Sequence, residues 1–119
     1  MNELVARLVA NVGVDQVAAE KAVGIVLDFL SKEGPADKVQ ALIDRLPGAA
    51  ALMQAQQNEG GGFGMGGIMG AGSKMMAAGL SMGQVQGVTR EIIAYSREKA
   101  GEDAIGEIVG AIPGLSQFV

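Results

Sequence analysis

Apolar residues along this chain recur every three to four positions and almost never alternate, so the pattern predicts helices throughout. Leu4, Val5, Leu8, Val9 and Val12 make a first stripe, closed by Gly13. Asp15 stands where a cap opens a second helix, whose apolar positions are Ala19, Ala22, Val23, Val26, Leu27, Phe29 and Leu30, ending near Gly34. Pro35 suits the first turn of a third helix, because its missing N–H costs nothing there. Val39, Leu42, Ile43 and Leu46 form the inward face of that helix, and Pro47-Gly48 stops it. A fourth run, 49–59, keeps Leu52 and Met53 apolar and turns Gln54, Gln56 and Gln57 to water. Glu20, Asp28 and Asp44 read as solvated faces.

The second half repeats this grammar. Ser81 and Gln84 have the S-x-x-Q spacing of a capping box, with Leu80 and Val85 at the flanking positions of a hydrophobic staple. Val88, Ile92, Ile93 and Tyr95 carry the stripe to about Ala100, and Gly101 breaks it. Asp103 opens the next helix, whose Ile105, Ile108, Val109 and Ile112 face inward before Pro113-Gly114. Slid 66 positions along itself, the sequence lays Gly13-Val14-Asp15 on Gly79-Leu80-Ser81. Phe29 then falls on Tyr95, Leu42-Ile43 on Ile108-Val109, and Leu46-Pro47-Gly48 on Ile112-Pro113-Gly114. The coincidences predict an all-α protein of six to seven short helices forming one domain, 1–119. Its two tandem repeats, 1–59 and 73–119, share one core about a pseudo-twofold axis, since either alone is too small to support one. Val26, Leu27, Leu42, Ile43 and Leu46 are expected to be buried with Ile92, Ile93, Ile108, Val109 and Ile112.

Residues 60–72 join the repeats with glycine, methionine, one phenylalanine and no charge. Glycine costs about 0.5–1 kcal/mol to order in a helix, yet a flexible connector would carry serine and charge instead of Phe63, Met65, Ile68 and Met69. Three readings stand: a mobile linker, a segment packed closely through Gly62, Gly66 and Gly70, or a dedicated ligand or lipid surface. The four apolar residues are the candidate interaction surface.

Composition narrows the chemistry. The net charge is −4, and nine lysines and arginines are spread thinly among carboxylates, which argues against nucleic acid as a partner. Cysteine and histidine are both absent, removing thiol nucleophiles, disulfides, thiolate zinc sites and imidazole acid–base chemistry. The N-terminus lacks the basic start and unbroken apolar core of an export signal, and no apolar run reaches ~18 residues. A cytoplasmic protein without a membrane span is the expectation.

Motif matches carry little. Gly62 to Gly67 spells G-x-G-x-x-G, but no strand precedes it, as the dinucleotide motif requires. Gly72-Ser73-Lys74 has the wrong order for a phosphate loop. Asp103 and Glu107 lie one helical turn apart, a spacing open to a hard cation, but acidic residues in a first turn ordinarily offset the helix dipole. Tyr95, at the position of Phe29, reads as a core residue. No catalytic residue, metal ligand or cofactor site is assigned, and no enzyme is expected.

The pattern Gly-Val-Asp…Ala-x-x-Ala-Val…Leu followed by Leu-Pro-Gly, with Gly79-Leu80-Ser81…Ile112-Pro113-Gly114-Leu115, resembles a family of small helical bacterial proteins of unknown function. This is the VcgC/VcgE type, related to YidB-like proteins. The likeness spans 13–53 and 79–119; it implies a helical fold and brings no catalytic residue. Together these features lead to a non-catalytic protein-interaction or assembly module that is homo-oligomeric or has a separate protein partner. The alternative is a carrier or sensor of a small apolar ligand, held between the repeats or under the Gly/Met segment.

Overall fold

The computed structural model describes residues 2–46, 48–58, 67–112 and 115. Among them the chain forms seven helices and no strand. The helices are α1 (Asn2–Val12), α2 (Gln16–Glu33), α3 (Ala36–Asp44), α4 (Ala49–Asn58), α5 (Gly67–Ala77), α6 (Met82–Ala100) and α7 (Glu102–Ala111).

Local chemistry sets the boundaries. Between α1 and α2 the chain reverses through Gly13 at φ +86°, a region that costs an L-residue strain. The Asp15 carboxylate then accepts the Ala18 N–H at 2.7 Å and caps α2. Gly79, at φ +107°, plays the same part between α5 and α6. There the predicted capping box is complete: the Gln84 N–H donates to Ser81 Oγ at 3.2 Å, and the Ser81 N–H donates to Gln84 Oε1 at 2.9 Å. Pro35 sits one position outside the expected first turn, as the residue preceding α3.

Helix α2 occupies the centre, with α1, α3, α4, α5 and α6 packed around it. Every residue from Ala22 to Leu30 is buried, so this helix has no solvated face over that stretch. That overturns the reading of Asp28 as solvated: it is buried, and its carboxylate accepts from Lys32 Nζ at 3.0 Å. Helix α6 buries one side only, through Val85, Val88, Thr89, Ile92, Ile93, Tyr95 and Ser96. All ten residues expected in the core are buried, and they form one cluster. Val9 is a second departure, 40 % exposed at the edge of α1.

Helix α1 lies against α6, and α5 lies against α2. Helix α5 begins inside the stretch taken as a connector and runs across the boundary placed between 72 and 73. Ala71 and Met75, one turn apart, are buried. Burying them offsets the roughly 1 kcal/mol that each glycine costs a helix, which is why 67–72 is helical. Pro47, Pro113 and Gly114, where matching bends were expected, lie outside the described residues.

Candidate functional site

Helix α2 and the consecutive helices α5 and α6 line an apolar hollow of about 120 Å³. Val26 and Phe29 of α2 form one wall, and Val85 and Thr89 of α6 another. Helix α5 closes it with Ala71, Gly72 and Met75, and Leu115 completes the lining. The space exists because α5 presents a methyl group and a hydrogen where a larger side chain would reach the opposite wall. Its polarity is low. The Thr89 hydroxyl donates to the Val85 carbonyl at 2.9 Å, so that hydrogen bond is turned into its own helix. Met76 and Met82 stand on the rim, 47 % and 59 % exposed.

The contact between α1 and α6 is built differently. There α1 meets α6 through Arg7, which donates to Glu98 at 2.9 Å and to Glu91 at 3.3 Å. Its guanidinium lies 5.4 Å from the Tyr95 ring centre, as does the Lys99 ammonium. The hydrogen bond to Glu98 and the charges of both carboxylates raise the Arg7 pKa further, against a smaller opposing effect of desolvation. Ser73, sixty-six positions after Arg7, lies on the lining of the hollow. The α1–α6 contact therefore carries an ion-paired cluster, and the packing of α5 and α6 on α2 leaves an apolar hollow. Shallower depressions occur beside Val12 and Gly87 and beside Val9 and Gln16; both open broadly to solvent.

The residues singled out from sequence fare unevenly. Phe63 and Met65 lie outside the described residues, as does the G-x-G-x-x-G stretch up to Gly66. Ile68 and Met69 belong to α5, but their side chains are outside the description. Glu102 and Asp103 are exposed in the first turn of α7, and Glu107 pairs with Lys38 of α3. No group of acidic residues among those described is arranged to hold a metal ion. Tyr95 is a core residue. The lining residues Ala71, Met75, Met82 and Thr89 escaped sequence reasoning. The signal for them was faint: small residues at 71–73 where the first half carries Val5, Ala6 and Arg7.

No protein-family profile, curated protein or solved structure matches this chain. No helix of the described residues is long and apolar enough to cross a membrane.

Proposed function

We propose that this protein is a non-catalytic protein-interaction or assembly module, with a second copy of itself among its partners. The observation that carries the reading is the apolar hollow with Met76 and Met82 exposed on its rim. Methionine is unbranched and polarisable, and it suits surfaces that adapt to a partner. The proposed duplication belongs to the same reading. Packing of α1 on α6, answered by packing of α5 on α2, is the exchange a pseudo-twofold axis requires, and α2–α6 and α3–α7 meet as such an axis needs. The likeness to the VcgC/VcgE type is part of this proposal, since it too implies helices without catalytic residues.

The second reading, a carrier or sensor of a small apolar ligand, is favoured by the position of the hollow between α2 and the α5–α6 pair. Its size counts against that reading, because ligand sites usually measure about 300–1,000 Å³ and this one measures about 120 Å³. Native mass spectrometry of the purified protein separates the two. Concentration-dependent multimers, or a co-purified protein recovered by cross-linking, support the module. A single chain carrying a small apolar molecule supports the carrier, and a bare monomer with no cross-linked partner refutes both.

A further inference from the structure

The chain has no cysteine, so its sulfur is carried entirely by seven methionine thioethers. Met53, Met75, Met76 and Met82 have described side chains, and the fold divides them sharply. Met76 and Met82 keep 47 % and 59 % of their surface in water, against 3 % for Met75 and 9 % for Met53. The exposed pair comes from two helices. Met76 lies in the last turn of α5 and Met82 opens α6, and the reversal through Gly79 sets both on the lining of the same hollow. Met75 lines that hollow too, but from within the buried core. A water-borne hydroperoxide reaches a thioether only where the side chain meets solvent, so the rim methionines react and those beneath them do not.

The chemistry alters the surface and spares the fold. A sulfur lone pair attacks one peroxide oxygen and the O–O bond breaks. The sulfur, oxidised by two electrons, keeps that oxygen as a sulfoxide, and the other oxygen leaves with the proton as water or an alcohol. An apolar thioether thereby becomes a strong hydrogen-bond acceptor. The hollow has little to offer it: of the side-chain donors on the described lining, Ser73 is exposed, and the Thr89 hydroxyl already donates to the Val85 carbonyl at 2.9 Å. The S=O groups therefore stay in water, because burying them unpaired is unfavourable. We propose that Met76 and Met82 form a peroxide-sensitive modification site, whose conversion to sulfoxides turns the mouth of the hollow from apolar to polar and leaves the folded core intact. The step reverses when a methionine sulfoxide reductase passes two electrons from a dithiol, which becomes a disulfide as the oxygen departs as water. A polar mouth disfavours an apolar protein partner and an apolar small ligand alike, so the site does not depend on which of the two readings above holds.

The test treats the full chain with hydrogen peroxide and follows the sulfoxide at each methionine by peptide mass spectrometry. Met76 and Met82 are expected to react about tenfold or more faster than Met75 and Met53. The double variant Met76→Leu/Met82→Leu, changed at two exposed positions, receives the same peroxide and subtracts the effect of every other methionine. Against that variant, the oxidised unsubstituted chain is expected to elute earlier from a hydrophobic-interaction column, with its thermal midpoint moved by no more than about 4 °C. Reductases for both sulfoxide epimers, supplied with dithiothreitol, are expected to restore the original retention. Met75 reacting as fast as Met76 overturns the proposal. Loss of cooperative unfolding in the oxidised chain but not in the treated variant also overturns it, since the oxidation is then damage to the core. The same shift in retention for both proteins places the effect at other methionines and overturns it as well. Should the double variant fail to fold, Met76→Leu and Met82→Leu singly, each expected to lose about half of the retention shift, take its place. None of these readouts depends on the number of chains per particle, which remains the measure of the interaction reading.

Discussion

Ile108 on α7 has no exposed surface, and Leu42 on α3 is almost as deeply buried. Ile108→Ala removes three side-chain carbons. At about 0.8 kcal/mol for each buried methylene-sized group, transfer to water alone accounts for about 2.4 kcal/mol. Where the surrounding helices do not close on the space, the cavity raises the loss toward about 5 kcal/mol. A chain of 119 residues has a total stability of about 6–18 kcal/mol, so this is a large and readable fraction. Urea unfolding followed by far-ultraviolet circular dichroism should show a lower midpoint with an unchanged slope. Val17→Ala is the internal control: Val17 is 64 % exposed, and its truncation should change stability by no more than about 0.5 kcal/mol. Leu42→Ala should fall in the same range of about 2–5 kcal/mol as Ile108→Ala. If Ile108→Ala costs no more than the Val17 control, α7 does not bury the face assigned to it.

Three further outcomes follow from the caps, turns and charges. Ser81→Ala removes the acceptor of the Gln84 N–H and should cost about 0.5–2 kcal/mol in thermal unfolding; no loss would mean the box is not formed in solution. Gly79→Ala meets no neighbouring atom, so its cost of about 1–3 kcal/mol comes from backbone strain alone, and a neutral or stabilising result in urea would contradict the positive φ. Arg7→Ala should lose about 1 kcal/mol or less at low salt and still less in concentrated NaCl; a loss independent of salt would locate its effect in packing over Tyr95 instead of in the carboxylates.

Features written in neighbouring residues were the legible ones. The Ser81–Gln84 box, the Asp15 cap and the turn glycines each depend on contacts within a few positions, and their residue types state the geometry. Periodicity likewise found the inward faces of α3, α6 and α7. It failed at Asp28 because a helix ringed by five others has no outer face for a charge to mark. It missed α5 because glycine lowers helix propensity, while the compensating burial of Ala71 and Met75 comes from helices elsewhere in the chain. The hollow was illegible for the same reason. It is a gap between side chains from residues 26 to 115, and a gap has no residue type of its own.

The central position of α2 also sets a timetable for synthesis. Val26 and Phe29 share their wall space with Val85 and Thr89, so the first helices leave the ribosome long before their neighbours exist. From Phe29 to Val85 is 56 positions, which at ~5–20 residues per second takes about 3–11 s. During that interval the helix with the longest buried run has only α1, α3 and α4 to lean on, and α1 still lacks Glu98, 91 positions away. A fragment ending before α5 leaves uncovered the faces of α2 that α5 and α6 pack against, and it should aggregate instead of folding alone.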